Sequence, residues 1–220
     1  MNVELARFNM IEQQIRPWEV LDPAVLELLA TVRREDFVPP AYKALAFVDT
    51  QVPLPGGAAM LEPKVEARLL QELQVQHHEK VLEIGTGSGF MAALLGHRAQ
   101  RVFTLECDPG RARMAAENLR RAGLTNVTVR EVSAAEGARG LPGEAPFDAI
   151  LLSGSVAELP RALLEQLKIG GRLAAIVGDE PVMRARLYTR NGDAAWSTVD
   201  LFDTVAPRLD GFEAPSRFSF

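Results

Sequence analysis

The chain has 220 residues, 47% of them hydrophobic, with 24 Lys plus Arg against 29 Asp plus Glu and a net charge of -5. That suffices for one elaborated α/β domain, and the acidic balance leaves no basic excess for phosphates, which argues against a nucleic-acid partner. No apolar run reaches the roughly 18 to 20 residues of a bilayer span, and "MNVELARFNM" lacks the apolar core of a signal peptide, so no membrane partner is expected and the expected compartment is the cytoplasm. One cysteine, Cys107, excludes an internal disulfide, and three histidines without supporting cysteines give no reason to expect a metal.

In chain order, "VELARFNMIEQQI" reads as a helix that stops before Arg16-Pro17. A second helix, "DPAVLELLATV", starts with Asp22 as N-cap and Pro23 at the first helical position. From Pro39 to Pro63 prolines and glycines predict a structured loop with at most short strands. "PKVEARLLQELQV" then puts Val65, Leu69, Leu70 and Leu73 on one helical face. Beyond Lys80, short apolar runs alternate with helical patterns, the signature of parallel strands and crossover helices. Strands are expected at "KVLEIG", "RVFTLE", "VTVREV", "FDAILL" and "RLAAIV". The helices between them are "SGFMAALLGHR", "PGRARMAAENLRRAG" and "PRALLEQLKIGG", with Gly123 and Gly170 as C-caps of the last two. "MRARLYTR" and "AAWSTVDLFDTV" predict a β-hairpin turning at Asn191-Gly192, so that a mostly parallel, seven-stranded, doubly wound sheet finishes antiparallel behind an N-terminal helical appendage.

The stretch "VLEIGTGSGF" is a strand running into a glycine-rich turn and a helix. Such a turn brings backbone amides close to a ligand. The dinucleotide spacing G-x-G-x-x-G fails, because Phe90 stands where its third glycine belongs; the glycines are Gly85, Gly87 and Gly89. No Gly-Lys-Ser or Gly-Lys-Thr follows, which excludes a nucleotide P-loop. Glu83, two residues ahead of Gly85, suits a cationic amino group better than a pyrophosphate. S-adenosylmethionine offers that amine and no phosphate. Glu106 closes the second strand, where a carboxylate can accept both hydroxyls of a ribose. NAD carries the same ribose, and the same acid is also placed to cap the helix that begins near Pro109. Glu136, in "SAAEGARG", is a candidate acceptor for the exocyclic amine of adenine or else a solvated loop acid. Cys107 either lines the adenine pocket or fills space beside it. His77 and His78 read as a solvated turn, His97 as a partner of helix-terminal carbonyls, and Trp18 and Trp196 as packing for the appendage and the hairpin.

On these residues the sequence resembles class I S-adenosylmethionine-dependent methyltransferases, and more narrowly the protein-L-isoaspartate O-methyltransferase family. The match is carried by "VLEIGTGSGF", the "TLE" strand end, "GLPGEAPFDAILLS", "LLEQLKIGGRLAAIVG" and, upstream, "VRREDFVPPAYKALAFVD", from about Ile11 to Gly178. The resemblance implies a Rossmann-like methyltransferase fold in one domain. Residues 1–62 would form the N-terminal helices and substrate-side loop, 63–178 the cofactor core, and 179–220 the hairpin and tail. It implies S-adenosyl-L-methionine as cofactor, S-adenosyl-L-homocysteine as product, and methyl transfer to a free carboxylate of isoaspartyl protein, hence protein repair. The implied cofactor residues are Glu83, Ile84, Gly85, Thr86, Gly87, Ser88, Gly89, Glu106, Cys107, Ala135, Glu136 and Ser153. A carboxylate needs no general base, so no acid/base dyad is expected and no catalytic residue is assigned.

The family's substrate loop usually reads Gly-Gln-Thr-Ile-Ser-Gln-Pro; here its counterpart is Gly57-Ala58-Ala59-Met60-Leu61-Glu62-Pro63. Both loop hydroxyls are absent, and each lost hydrogen bond to a charged group is worth about 1.5 to 3 kcal/mol. Ala59, Met60, Leu61 and Ser153 are the substrate-side candidates. Weak isoaspartyl turnover is therefore expected. The alternative is a relative that binds the cofactor without catalysis, or one directed to a small apolar molecule suited to Met60 and Leu61. NAD-dependent oxidoreduction is disfavoured by Phe90 and by the lack of a Tyr/Lys or His/Asp set. Smaller departures are Ala135-Glu136-Gly137 for the family's Gly-Asp-Gly, Ser153-Gly154 for its Thr-Ala, and a different tail, "RLDGFEAPSRFSF".

Overall fold

The computed structural model describes residues 2–212; the end of the tail, 213–220, lies outside the described residues. Helix α1 (Val3–Met10) runs on through a π turn at Ile11–Ile15 and ends at a 3-10 turn, Arg16–Trp18, where Pro17 removes an amide. Helix α2 (Pro23–Thr31) starts as expected, with the Asp22 carboxylate accepting from the Ala24 amide at 2.8 Å. The proline-rich stretch holds 3-10 turns at Pro40–Leu45 and Pro55–Gly57 and a two-residue antiparallel pair, β1 (Val52–Pro53) and β2 (Ala59–Met60), ahead of helix α3 (Pro63–Leu73).

The remaining elements alternate: β3 (Lys80–Ile84), α4 (Phe90–Arg98), β4 (Arg101–Glu106), α5 (Pro109–Arg121), β5 (Val127–Glu131), α6 (Ala134–Gly137), β6 (Phe147–Val156), α7 (Arg161–Leu164), β7 (Leu167–Asp179), β8 (Val182–Gly192) and β9 (Ala195–Thr204). They build one seven-stranded sheet in the order β5-β4-β3-β6-β7-β8-β9, parallel through β7 and antiparallel from β7 to β9. The order reverses between β3 and β6. In open α/β sheets ligands bind at the carboxyl ends of the strands beside such a switch point.

Strand alternation sends successive side chains to opposite faces. Val81, Val102, Ala149 and Leu151 join the core under the N-terminal helices, while Leu82, Ile84, Phe103, Leu105, Ile150 and Leu152 join a second core on the opposite face with Phe147, Leu163 and Phe212. Trp18 meets Phe202 edge to face, with ring centroids 5.3 Å apart, which fastens the appendage to the hairpin.

Three expectations are corrected. The helix expected over "PRALLEQLKIGG" covers only Arg161–Leu164; Leu167 is wholly buried and pairs with Phe147, so the chain is already strand there. Gly170 consequently lies inside β7 and caps no helix, whereas Gly123 does follow α5, its amide bonded to the Arg120 carbonyl at 3.1 Å. The hairpin turns at Asp193-Ala194, because Gly192 still pairs with Ala195 and the Arg190 guanidinium holds the Gly192 and Asp193 carbonyls at 3.1 and 3.0 Å.

Candidate functional site

The site grows from the pleat. Glu83 on β3 is paired with Thr104 on β4 and Leu151 on β6, and Ser153 follows Leu151 by one side-chain period, so Glu83, Thr104 and Ser153 share one face. Ser153 Oγ donates to Glu83 Oε1 at 2.7 Å, and Thr104 Oγ1 donates to Oε2 at 2.7 Å. Thr86 Oγ1, 2.6 Å from Thr104 Oγ1, extends the chain of hydroxyls into the glycine turn. Glu83 has no exposure to solvent and no cation bonded to it among the described residues. Burial pushes its carboxyl up to about 8, although both hydroxyl bonds pull the other way. A buried carboxyl held in this way can accept a cation, and none of the described residues supplies one.

Gly85, Gly87 and Gly89 all have positive φ, the conformation that carries the chain from β3 into α4. At Gly85 the need is steric as well, since a Cβ would lie 2.6 Å from Leu209 Cδ2. The Gly85 and Thr86 amides bond the Leu105 carbonyl at 2.9 and 3.2 Å, which bends the turn over the end of β4. Ser88 Oγ, buried in the turn, has no hydrogen-bond partner among the described residues.

The turn is flanked by two connected cavities. One, about 600 Å³ including its open mouth, is lined by Ile84, Gly85, Gly87, Leu105, Glu106 and Cys107, with Val132, Ala134, Gly137 and Ser153 on the far wall and the Pro207–Asp210 segment as its cover. The other, about 310 Å³, lies between the turn and the acceptor loop; Met60, Leu61, Glu66, Glu83, Ser88, Phe90 and Met91 line it. Ala59 and Ser153 border both.

Ten of the sequence-derived residues therefore meet at this cleft: Glu83, Ile84, Gly85, Thr86, Gly87, Ser88, Glu106, Cys107, Ser153 and the substrate-side residue Ala59, together with Met60 and Leu61 on the second cavity. Gly89 sits behind it as the N-cap of α4, where an added Cβ would lie 3.3 Å from Ala115. Ala135 and Glu136 are exposed and outside the lining, which uses their neighbours Ala134 and Gly137. The Glu136 carboxylate turns back onto Ser133, accepting from its amide at 2.8 Å and its hydroxyl at 2.6 Å. This is a capping box that engages Oε2 alone, with the side chain exposed beside the cavity rather than on its wall. Cys107 is half-buried on the cavity wall, and burial pushes its thiol up to about 11.

Four charged groups carry no role in the sequence motifs. Arg34 is 1% exposed; it pairs with Glu66, donates to the Leu61 carbonyl at 2.8 Å and lies 4.8 Å over the Phe90 ring, so it fixes the acceptor loop from beneath. Glu66 is nevertheless pushed up to about 7, because burial outweighs the Arg34 attraction. Arg111, in the first turn of α5, donates to Glu106 Oε1 through Nε at 3.1 Å and Nη2 at 2.9 Å, and through Nη1 to the Pro55 carbonyl at 3.0 Å. Asp210 comes from beyond the hairpin, its Oδ2 lying 3.4 Å from Cys107 Sγ.

Comparison with known proteins agrees with this geometry. The family model described as protein-L-isoaspartate(D-aspartate) O-methyltransferase matches residues 6–205. A protein-L-isoaspartate O-methyltransferase of Syntrophobacter fumaroxidans is 42% identical over 179 residues, 81% of this chain and 82% of the relative. Another, from Rhodopseudomonas palustris, is 38% identical over 205 residues, 93% of each chain. Among solved structures, a Plasmodium falciparum protein assigned to the same activity and crystallised with S-adenosyl-L-homocysteine superposes with a TM-score of 0.77 at 19% identity, covering 96% of this chain and 99% of that one; at that identity the likeness is one of fold.

Proposed function

The chain belongs to the protein-L-isoaspartate(D-aspartate) O-methyltransferase family, and from that membership we propose that it methylates a carboxylate oxygen of a protein substrate with S-adenosyl-L-methionine as donor. The observation that carries this reading is Glu83, a buried carboxyl at the mouth of a phosphate-unfriendly glycine turn, bonded by two hydroxyls and, among the described residues, by no cation. The residues present fit the cofactor. Glu83 would hold its ammonium and Glu106 a ribose hydroxyl; Leu105 and Val132 offer apolar walls to a purine, and the partnerless Ser88 hydroxyl and the turn amides face its amino-acid end.

When bound, that cofactor supplies a methyl group on a sulfonium whose departure as a neutral thioether drives transfer. The protein's part is placement. Ser153 and Thr104 fix Glu83 and with it the amino-acid end, while the acceptor loop and the 207–210 segment exclude water from the reacting pair. No side chain is required to take a proton, since the acceptor carboxylate is already ionised near neutral pH.

Leu61 and Met60, 3% and 4% exposed, present apolar surface where the family's loop presents hydroxyls. We therefore expect cofactor binding of ordinary strength and isoaspartyl turnover reduced about ten- to a hundredfold for each of the two missing donors. Titration with S-adenosyl-L-homocysteine and methyl transfer to an isoaspartyl peptide test the two statements separately. Failure to bind removes both; robust turnover removes the second.

A further inference from the structure

Glu106 by itself is an incomplete ribose site. Its Oε1 accepts from the Cys107 and Asp108 amides at 3.0 Å each and from Arg111 Nε and Nη2 at 3.1 and 2.9 Å. Its Oε2 accepts from the Gly87 amide at 2.9 Å. A carboxylate oxygen offers about two lone-pair directions, so Oε1 is saturated and Oε2 keeps one free. A ribose brings two adjacent hydroxyls, and one of them finds no acceptor on Glu106.

The next acceptor on that wall is Asp210, which lines the same cavity, with Oδ2 3.7 Å from the Arg111 Nη2 that also binds Glu106. The segment that carries it is held by four independent contacts. Ser155 donates its amide to the Pro207 carbonyl at 2.8 Å and accepts from the Leu209 amide at 2.9 Å. The Leu209 side chain lies against Gly85 and Gly154, where a Cβ would come within 2.6 and 2.8 Å of its Cδ2. Gly211, at φ +84°, leaves no room for a Cβ beside the Ala134 carbonyl, and Phe212 is buried in the second core. Asp210 itself is 66% exposed toward the cleft and engaged only at its edge.

We propose that Asp210 is a cofactor-binding residue: Glu106 and Asp210, spanned by the Arg111 guanidinium, each take one hydroxyl of the cofactor ribose. This rests on the cofactor reading given above and divides ribose recognition between the sheet and the segment that follows the hairpin. A neutral diol is then met by two carboxylates whose mutual repulsion one guanidinium offsets.

The test is a cycle between protein and ligand, read by calorimetric titration. S-adenosyl-L-homocysteine and its 2′-deoxy and 3′-deoxy forms are titrated into the unaltered protein and into Asp210→Ala, with the melting temperature of both recorded. The unaltered protein is expected to lose about tenfold in affinity on removal of either hydroxyl. Asp210→Ala should melt unchanged and bind the parent compound about tenfold more weakly. It should also become indifferent to one hydroxyl while still discriminating the other. Unchanged affinity, or an unchanged penalty for both hydroxyls, overturns the inference and leaves the cofactor reading standing. An unaltered protein that ignores all three ligands removes both.

Discussion

Ser153 and Glu83, 70 positions apart in the chain, meet at 2.7 Å across the parallel pair of β3 and β6, and their bond joins the two sides of the topological switch point. It places a hydroxyl between the two cavities that flank the glycine turn, since Ser153 borders both.

The first expected outcome concerns pH. Burial raises the Glu83 carboxyl from 4.5 to about 8 in the folded, cofactor-free protein. A group raised on folding contributes stability that is fully present below its unfolded pKa and is lost as pH rises through the folded one, so the cofactor-free protein should lose stability between about pH 4.5 and 8. A cationic amine prefers the ionised form, so affinity for S-adenosyl-L-homocysteine should rise over the upper part of the same window and binding near pH 7 should release protons. Titrations in buffers of different ionisation enthalpy measure that release. Glu83→Gln should flatten the affinity profile and leave in the stability profile the fall between about pH 4.5 and 7 that the buried Glu66 contributes; a pH-independent affinity in the unaltered protein would contradict the assignment.

The second concerns the acceptor loop. Restoring the family's hydroxyls with Ala59→Thr and Leu61→Ser should raise isoaspartyl turnover by about ten- to a hundredfold for each donor regained and leave cofactor affinity within about twofold. Because Leu61 is buried, truncating it costs about 2 to 5 kcal/mol, so melting is recorded and kinetics are run well below the transition. Turnover that stays at the starting level would show that the lost hydroxyls are not what limits the reaction.

What could be read in advance, and what could not, divides along sequence separation. The β3–turn–α4 unit was visible because a buried strand, an acid and three alternate glycines are contiguous, and period two then places Thr104 and Ser153 beside Glu83 once parallel pairing is assumed. Arg34 and Asp210 gave no local signal: one acts on a loop about 30 residues downstream, and the other reaches back more than 100 positions to Cys107. Arg111 had a signal that went unread, a base in the first turn of the helix following the strand-end acid, where it folds back onto Glu106. Glu136 had one too. "SAAE" is the S-x-x-E pattern of a capping box, which commits one carboxylate oxygen of Glu136 to its own helix start. At "KIGG" a helical pattern lost to tertiary context, since pairing of Leu167 with Phe147 and full burial of Leu167 outweigh local propensity.

The third outcome concerns Arg34, wholly buried against Glu66 and the Leu61 carbonyl. Removing one partner of a buried pair leaves the other charge or its proton uncompensated, so Arg34→Met should cost about 3 to 5 kcal/mol. Replacing both, with Arg34→Met and Glu66→Met, should recover a substantial part of that loss. Denaturant unfolding of the two singles and the double closes the cycle. Additive losses would mean that the pair does not act as a unit.

The fourth concerns Gly211. Its φ of +84° is strained for any residue with a Cβ, and an added Cβ would sit 2.2 Å from the Ala134 carbonyl oxygen, an atom of the backbone that has no rotamer in which to escape. The strain alone is worth about 1 to 2 kcal/mol. The collision adds a displacement, and the part free to move is the 207–211 segment, because Ala134 is anchored by the Ala138 amide bonding its carbonyl at 3.0 Å and by the Ser133 capping box. Gly211→Ala should therefore lift Leu209 from Gly85 and Asp210 from Arg111 while Glu106, Arg111 and the turn stay in place. The expected readout is S-adenosyl-L-homocysteine affinity lowered about tenfold with only a small fall in the melting temperature of the cofactor-free protein. If the melting temperature falls steeply while affinity at low temperature is kept, the segment serves the second core through Phe212 rather than the cofactor cleft.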